Sequence, residues 1–399
     1  MKVRLLIGIS LLAFLVSCEQ RADIVIPTPA EKTVLVYFAA DNNLAQYVQL
    51  DIDEMKQSME EHPLSVSQHL LLYKDTGGEA ELIELVNRNG QVIEKVVKTY
   101  PDRNSVGVEE MSEVFNDVFN NPAYEAESYG LVYWSHGEGW IPYPLPSTRW
   151  IGQDSSFGDN RMNLSEFKQV LDAAPHFDYI LFDACFMQSI EVSYELRAYA
   201  DYFIASPTET PVTGAPYDAI LPYMFGNGRA ADLAKAYYEA YAELYIPGYM
   251  MSSMNEPWSM GAAICVVEVA GLEGLAGATY EALQALEAPA NCRALREQAF
   301  DYDKRSKSSN LYIGYYDLVD VMQVLLTEDA YATWKQAYDA AVPYYKTTDS
   351  NYSSSAGIFS MTGTHGVTQY LPSAPGVEAC EAYHTLDWYD AAGISALGW

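Results

Sequence analysis

The chain has 399 residues, is 49% hydrophobic and 13% aromatic, and carries a formal net charge of −31. That share of apolar side chain argues against disorder and is enough for one large domain or two unequal ones. The acidic balance argues against nucleic acid or another polyanion as a partner and favours basic peptides or proteins, unless it serves only solubility.

Residues 1–17, MKVRLLIGISLLAFLVS, place Lys2 and Arg4 ahead of an apolar run from Leu5 to Val16. That run is too short to span a bilayer comfortably and reads as a secretory leader. Leu15-Val16-Ser17-Cys18 has the form of a lipobox, which predicts cleavage before Cys18 and lipidation of its thiol. Residues 18–31 then form a tether, and acyl chains rather than a transmembrane helix hold the protein at the bacterial cell envelope. The sequence leaves open the inner or outer membrane and the face on which it sits.

The run TVLVYFA (33–39) reads as a buried strand ending in the polar turn Asp41-Asn42-Asn43. Leu44 to Met59 has helical spacing, and HLLLYKD (69–75) is a second strand. ELIELVNR and QVIEKVVKTY flank Asn89-Gly90, a hairpin signal. Ser105 to Asn120 is helical, and YGLVYWSH (129–136) is again a buried strand. The segment 141–161, rich in Pro, Gly, Ser and Asp, reads as one long exposed loop. Asn163, with Glu166 three residues on, starts a helix over 163–174. FDYILF (177–182), a helix after Cys185, DYFIAS (201–206) and a further helix continue the alternation.

Apolar strands alternating with helices predict a mostly parallel sheet covered on both faces over 32–270. Past residue 270 the spacing is mainly helical, at 273–286, 293–304, 312–326 and 329–342, with strand-like pieces at AGIFSM and GVTQYLP. Of five cysteines, Cys18 is assigned to the lipid, and Cys265, in MGAAICVVEV, reads as a packing residue. Cys292 and Cys380 could pair in an oxidising envelope, which spacing does not decide. There is no CxxC, so a cysteine-based zinc site is not expected.

Two strands end in reactive residues, Ser135-His136-Gly137-Glu138-Gly139 and Asp183-Ala184-Cys185. In a parallel sheet both would emerge at the carboxyl edge, where chemistry gathers. A cysteine nucleophile needs a base, and histidine titrates in the right range. Gly137, without a Cβ, allows close approach of a substrate backbone and offers an N–H to an oxyanion. Taken singly, a cysteine after a strand is most often packing and a histidine there a hydrogen-bonded surface group. Their pairing at consecutive strand ends carries the functional reading.

YWSHGEGW, LFDACFMQSIEVSYEL and TVLVYFAADNNL resemble the clostripain family of cysteine peptidases, in the caspase–legumain–gingipain clan. The resemblance covers roughly residues 33 to 225 and is loose beyond about 270. It implies an α/β caspase-like αβα sandwich with a mostly parallel central sheet, followed by a mainly helical C-terminal region, 271–399. It implies His136 as base, Cys185 as nucleophile, and cleavage of protein or peptide substrates after Arg or Lys. Asp183 is then the floor of the pocket that takes the basic side chain. Side chains two apart on an extended segment project to the same side, which agrees with that role. The alternatives for Asp183 are a helix N-cap or a salt bridge to Arg197.

The resemblance also implies maturation by a cut in the 141–161 loop, at Arg149 in Ser147-Thr148-Arg149-Trp150; otherwise Arg149 is an exposed loop charge. One block departs from the family pattern. PTETPVTGAPY (207–217) replaces an acidic, Gly-Trp-bearing loop, with Ala215 after Gly214 and Glu209 as a candidate second carboxylate for the pocket. No cofactor is required by this reading; calcium, on which some relatives depend, stays open, without any EF-hand ligand spacing. The alternatives are another acyl-transfer chemistry on the same dyad, or a catalytically silent lipoprotein that captures peptides or glycans with its 32 tyrosines.

Overall fold

β1 (Ala30–Ala39) leads through a 3₁₀ turn into α1 (Val48–Glu61) and β2 (Gln68–Asp75). The hairpin β3 (Ala80–Arg88) and β4 (Gln91–Tyr100) follows, then α2 (Val108–Phe119) and β5 (Ala126–Trp134). Next come β6 (Ile151–Asp154), β7 (Asn160–Met162), α3 (Leu164–Leu171), β8 (Phe177–Asp183), α4 (Ile190–Glu195) and β9 (Ala200–Ala205). After α5 (Tyr217–Met224), α6 (Ala230–Leu244) and β10 (Ala263–Glu268), the chain forms α7 (Leu272–Gln284), α8 (Cys292–Gln298), β11 (Tyr315–Asp317), α9 (Leu318–Leu325) and α10 (Glu328–Ala341). It closes with β12 (Tyr344–Thr347), β13 (Ser350–Ser353), β14 (Gly357–Ser360), β15 (Thr368–Tyr370), α11 (Glu378–Tyr383) and α12 (Asp387–Ala391). This computed structural model describes residues 29–142, 150–156, 158–226, 229–253, 256–309, 312–373 and 378–399, so Cys18 and Arg149 lie outside the described residues.

The central sheet has nine strands in the order β12-β10-β9-β8-β5-β1-β2-β3-β4. The inner five, β9-β8-β5-β1-β2, are parallel, and an antiparallel pair flanks them at each end. Helices cover both faces, which is the expected αβα sandwich. The continuous apolar runs in the sequence have this cause: strand residues of either parity are buried. Leu35, Tyr37 and Ala39 of β1 enter one core, with Phe115, Phe167 and Trp334, while Val34, Val36 and Phe38 enter the other, with Ile52, Leu221 and Tyr237.

The Asn89-Gly90 hairpin forms as expected, with both residues at positive φ (57° and 87°) between the paired Arg88 and Gln91. Asn163 caps α3, and its N–H donates to Glu166 Oε2 at 2.7 Å. Cys265 is a fully buried packing residue.

Three local expectations are corrected. The segment 141–161 is not one exposed loop: β6 pairs with β7 as a hairpin, and Ile141, Trp150 and Ile151 are buried. Turn-forming residues dominate its composition and hide three buried apolar anchors. The segment 312–326 is not helical throughout, since β11 precedes α9, and the Asp317 side chain caps that helix on the Val319 and Asp320 N–H groups. The helix expected over 293–304 ends at Gln298. Residues 271–399 also supply β12 to the central sheet, paired with β10, and place Tyr315, Leu318 and Trp334 in the same core as β1.

No disulfide joins Cys292 to Cys380 among the described residues; the Cys292 thiol donates to the Pro372 carbonyl. Among those residues no helix is long and apolar enough to cross a membrane.

Candidate active site

The parallel register of β5 and β8 builds the site. Trp134 pairs with Asp183, and the Ser135 N–H donates to the Asp183 carbonyl. Ser135 Oγ donates to the Ala39 carbonyl at the end of β1 (2.6 Å) and accepts from the Gln153 N–H of β6 (3.2 Å). One hydroxyl therefore ties the ends of three chain segments together where His136 leaves the sheet. Gly137 pairs with Ile151; around it the Glu138 N–H donates to the Trp150 carbonyl and the Gly152 N–H to the His136 carbonyl, both at 2.9 Å. The Gly137 N–H takes part in neither bond. A Cβ on Gly137 would stand 2.8 Å from the Cys185 carbonyl oxygen and 2.9 Å from Ala184 Cβ. Both small residues are thus required by the close passage of the two strand ends.

Cys185 is half-buried, and the next residue, Phe186, holds a left-handed conformation (φ 58°) that side chains other than glycine's disfavour. Phe186 is kept there by its N–H bond to the Thr208 carbonyl and by burial of its ring. Cys185 Sγ accepts from the Thr210 N–H at 3.3 Å and lies 3.5 Å from Thr210 Oγ1. Burial and the Glu209 carboxylate push the thiol up to about 11, so the resting group is protonated.

His136 Nε2 lies 2.6 Å from Asn43 Oδ1. An amide oxygen only accepts, so Nε2 carries the proton and Nδ1 is the nitrogen with a lone pair. Burial, and secondarily Arg161, lower the pKa of His136 below the usual imidazole value.

Asp183 is buried, and both of its hydrogen bonds fall on Oδ2, from the Ala215 N–H (2.7 Å) and the Tyr217 hydroxyl (3.0 Å). It neither caps α4, whose N-cap is Ser189, nor meets Arg197, which pairs with Glu273 and Asp387. Burial raises its carboxyl to about 7 against the effect of those two donors. Glu209 accepts from Ser353 Oγ (2.8 Å) and the Ser354 N–H (2.9 Å), which fastens the 207–217 loop to the β13–β14 hairpin.

His136, Gly137, Asp183, Cys185 and Glu209 line one cavity of about 550 Å³ at the carboxyl edge of the sheet. Of the remaining expected site residues, Cys18 and Arg149 are outside the described residues. Asn43, Thr210 and Arg305 also reach this cavity and were not singled out from sequence. The turn holding Asn43 ends a strand adjacent to β5, so the strand-end argument that found His136 could have found it. Arg305 carries no local signal. It arrives from the C-terminal region, pairs with Glu138 (2.7 Å) and stacks over Phe186.

One group of side chains among the described residues has metal-ligand proximity, Asp317, Asp320 and His365. Asp317 is already saturated: Oδ1 accepts from the Val319 and Asp320 N–H groups and faces His365 Nδ1, and Oδ2 accepts from the Tyr302 hydroxyl and the His365 N–H. A histidine-containing set occupied in this way does not fit calcium, which takes six or more free oxygens.

A family model described as the clostripain family, peptidase family C11, matches residues 36–397. Among solved structures, a secreted C11 cysteine protease from Bacteroides thetaiotaomicron, in complex with an irreversible peptide inhibitor, is 39% identical. Their TM-score is 0.81, over 91% of this chain and 99% of that one. A second secreted C11 protease of that organism, iotapain, is 25% identical, with a TM-score of 0.76 over 92% of this chain and 100% of its own. An inactive zymogen C11 protease from Parabacteroides distasonis is 29% identical, with a TM-score of 0.75 over 92% of this chain and 99% of that one. A search of curated proteins finds no match.

Proposed function

Because this chain belongs to the clostripain family of cysteine peptidases, we propose that it is a lipid-anchored endopeptidase that cuts after Arg or Lys, with Cys185 as nucleophile and His136 as base. The observation that carries this reading is the meeting of His136, Gly137, Asp183 and Cys185 in a single cavity.

In this mechanism a peptide lies across the strand ends with its basic side chain directed at Asp183, where a carboxylate pairs with it. Cys185 Sγ attacks the scissile carbonyl carbon, and its proton passes to His136 Nδ1. Asn43 orients the ring by holding Nε2–H. The carbonyl electrons move to oxygen, and the Gly137 N–H stabilises that charge. Collapse breaks the C–N bond, and His136 returns the proton to the leaving amine. Water then adds to the thioester with His136 as base, which releases the acid and restores the thiol. At rest Sγ is held by Thr210 and the imidazole by Asn43, so a filled cavity completes the proton path.

Two further features belong to the proposal. Maturation proceeds by a cut after Arg149; support comes from Trp150, the next residue, which lines the catalytic cavity, and from the relative described as an inactive zymogen. Anchoring is through Cys18, supported by Leu15-Val16-Ser17-Cys18 behind an apolar leader. The inhibitor-bound relative supports peptides as the substrate class.

The test is a panel of fluorogenic peptides with Arg, Lys, Asp or Asn before the scissile bond, assayed beside Cys185→Ala and Asp183→Ala. Turnover of Arg and Lys peptides, lost in Cys185→Ala, is expected. Activity surviving in Cys185→Ala sinks the nucleophile assignment and returns the silent binding lipoprotein to first place. Cleavage only after Asp or Asn sinks the role of Asp183. For the anchor, an alkyne-tagged fatty acid should label the wild-type protein and not Cys18→Ala.

A further inference from the structure

The pocket that would take the basic side chain has a second carboxylate beneath it, on α1. Asp51 is fully buried, and neither of its oxygens has a hydrogen-bond partner. Such a group is costly in a fold unless something answers its charge, because burial removes the water that would otherwise solvate it.

Its position explains what that something is. A Cβ built on Gly214 would lie 2.7 Å from Asp51 Oδ2, 3.0 Å from Oδ1 and 2.7 Å from Trp134 Nε1. Gly214, Trp134 and Asp183 all line the catalytic cavity. Gly214, held in a left-handed turn (φ 76°) and anchored by the Tyr241 hydroxyl on its carbonyl, lies against Asp51 on one side and lines that space on the other. Any side chain at 214 would seal the carboxylate off.

The groups acting on Asp51 are acidic or phenolic. Its charged neighbours are Asp183 and Glu54, and the Tyr217 and Tyr241 phenols face it. The lysine of α1, Lys56, is engaged elsewhere, with Glu94 and Asp53. Among the described residues no Lys or Arg pairs with Asp51, Glu54 or Asp183. Three carboxyl groups thus converge without a cation of the protein's own, and one of them is unpartnered. Glu209, the acid the loop itself offers, is spent on Ser353 and Ser354.

We infer that Asp51 is a specificity-determining residue of this peptidase, the second carboxylate of the basic pocket, and that with Asp183 it takes a substrate guanidinium. The inference rests on the reading that the enzyme cuts after basic residues. A planar guanidinium presents several donors at once and can serve two carboxylates, whereas a lysine ammonium acts as a single point charge. Arg is therefore favoured over Lys before the scissile bond. The absence of an internal counter-ion keeps the pocket ready for one brought by the substrate.

The test uses peptides matched except for Arg or its neutral isostere citrulline, with kcat/KM measured on wild type, Asp51→Asn and Asp183→Asn. Wild type should prefer Arg, and Asp51→Asn should lower the Arg-to-citrulline ratio by about tenfold or more, the worth of one hydrogen bond to a charged group. The Tm of Asp51→Asn should not fall, since the amide is isosteric and replaces a carboxyl that makes no hydrogen bond. An unchanged ratio in Asp51→Asn, while Asp183→Asn collapses it, overturns the inference and spares the basic-pocket reading. A wild type with no preference for Arg over citrulline overturns that reading itself. Asp51→Ala serves if the amide variant does not accumulate.

Discussion

Trp134 on β5 pairs in register with Asp183 on β8, and two residues beyond each of them stand His136 and Cys185. A parallel pair sends both chains off the sheet at the same edge, so one register sets where His136 and Cys185 leave it. Asp183 and Cys185 line the same cavity.

Asn43 is a positioning residue, acting on the substrate only through His136. Asn43→Ala should leave KM within about twofold and lower kcat by about tenfold, because the ring loses the hydrogen bond that orients it. The acid limb of the kcat profile should shift as well. A structural loss alone would lower Tm and the fraction of active enzyme, with kcat per active site unchanged.

Asp183 is expected to work ionised, and its folded-state carboxyl sits near 7. Below that pH it is neutral and pairs poorly with a cation, so kcat/KM for Arg peptides should rise as pH increases through about 7. Asp183→Asn should remove that rise and cost about 100-fold on Arg peptides at pH 8. The sign for stability is the opposite. A carboxyl raised in the fold stabilises it at low pH, and that contribution is lost as pH climbs from the ordinary carboxylate range through about 7. Thermal melts should therefore show Asp183→Asn gaining on wild type across the same interval.

The resting thiol predicts slow alkylation. With Cys185 pushed up to about 11, iodoacetamide should label it at a rate that climbs with pH and shows no plateau near neutrality. A plateau below pH 8 would mean a thiolate at rest, held by a partner that the structure does not provide.

Gly137→Ala tests the close passage of the two strand ends. Its Cβ would meet the Cys185 carbonyl oxygen at 2.8 Å, so the nucleophile's backbone must move. A loss of about 100-fold in kcat is expected, with KM changed far less. Retained kcat would remove Gly137 from the site.

Self-processing makes its own claim. Purified wild type should convert to two fragments, the second beginning at Trp150, while Cys185→Ala stays whole; N-terminal sequencing reads the result. The same cut in both proteins, or none in wild type, ends the proposal.

Much of the architecture was legible because it follows from local rules. Apolar runs such as Thr33–Ala39 and Phe177–Phe182 are strands buried on two faces, and Asn89-Gly90 needs positive φ at both positions. Reading failed where few residues carry the signal. In 141–161, three buried anchors stand among many turn formers, and at 312–317 a short strand precedes the Asp317 cap. Within the site, strand ends were readable, and the Asn43 turn could have been read the same way, but Thr210 and Arg305 come from distant segments with no strand end to mark them.

By itself the sequence determined that a histidine and a cysteine each follow a buried strand, that an aspartate precedes the cysteine by two, and that glycine and alanine stand beside them. Those facts depend on chain order and on strand geometry, both of which are local. Only the tertiary structure decided which groups surround them: Asn43 on the imidazole, Thr210 on the sulfur, and Tyr217 with the Ala215 N–H on Asp183. It also decided that Asp51 of α1 packs, without a hydrogen-bond partner, against Gly214 at the wall of that space. Protonation and charge preference depend on distance and lost water in three dimensions, so no periodicity along the chain could have revealed them.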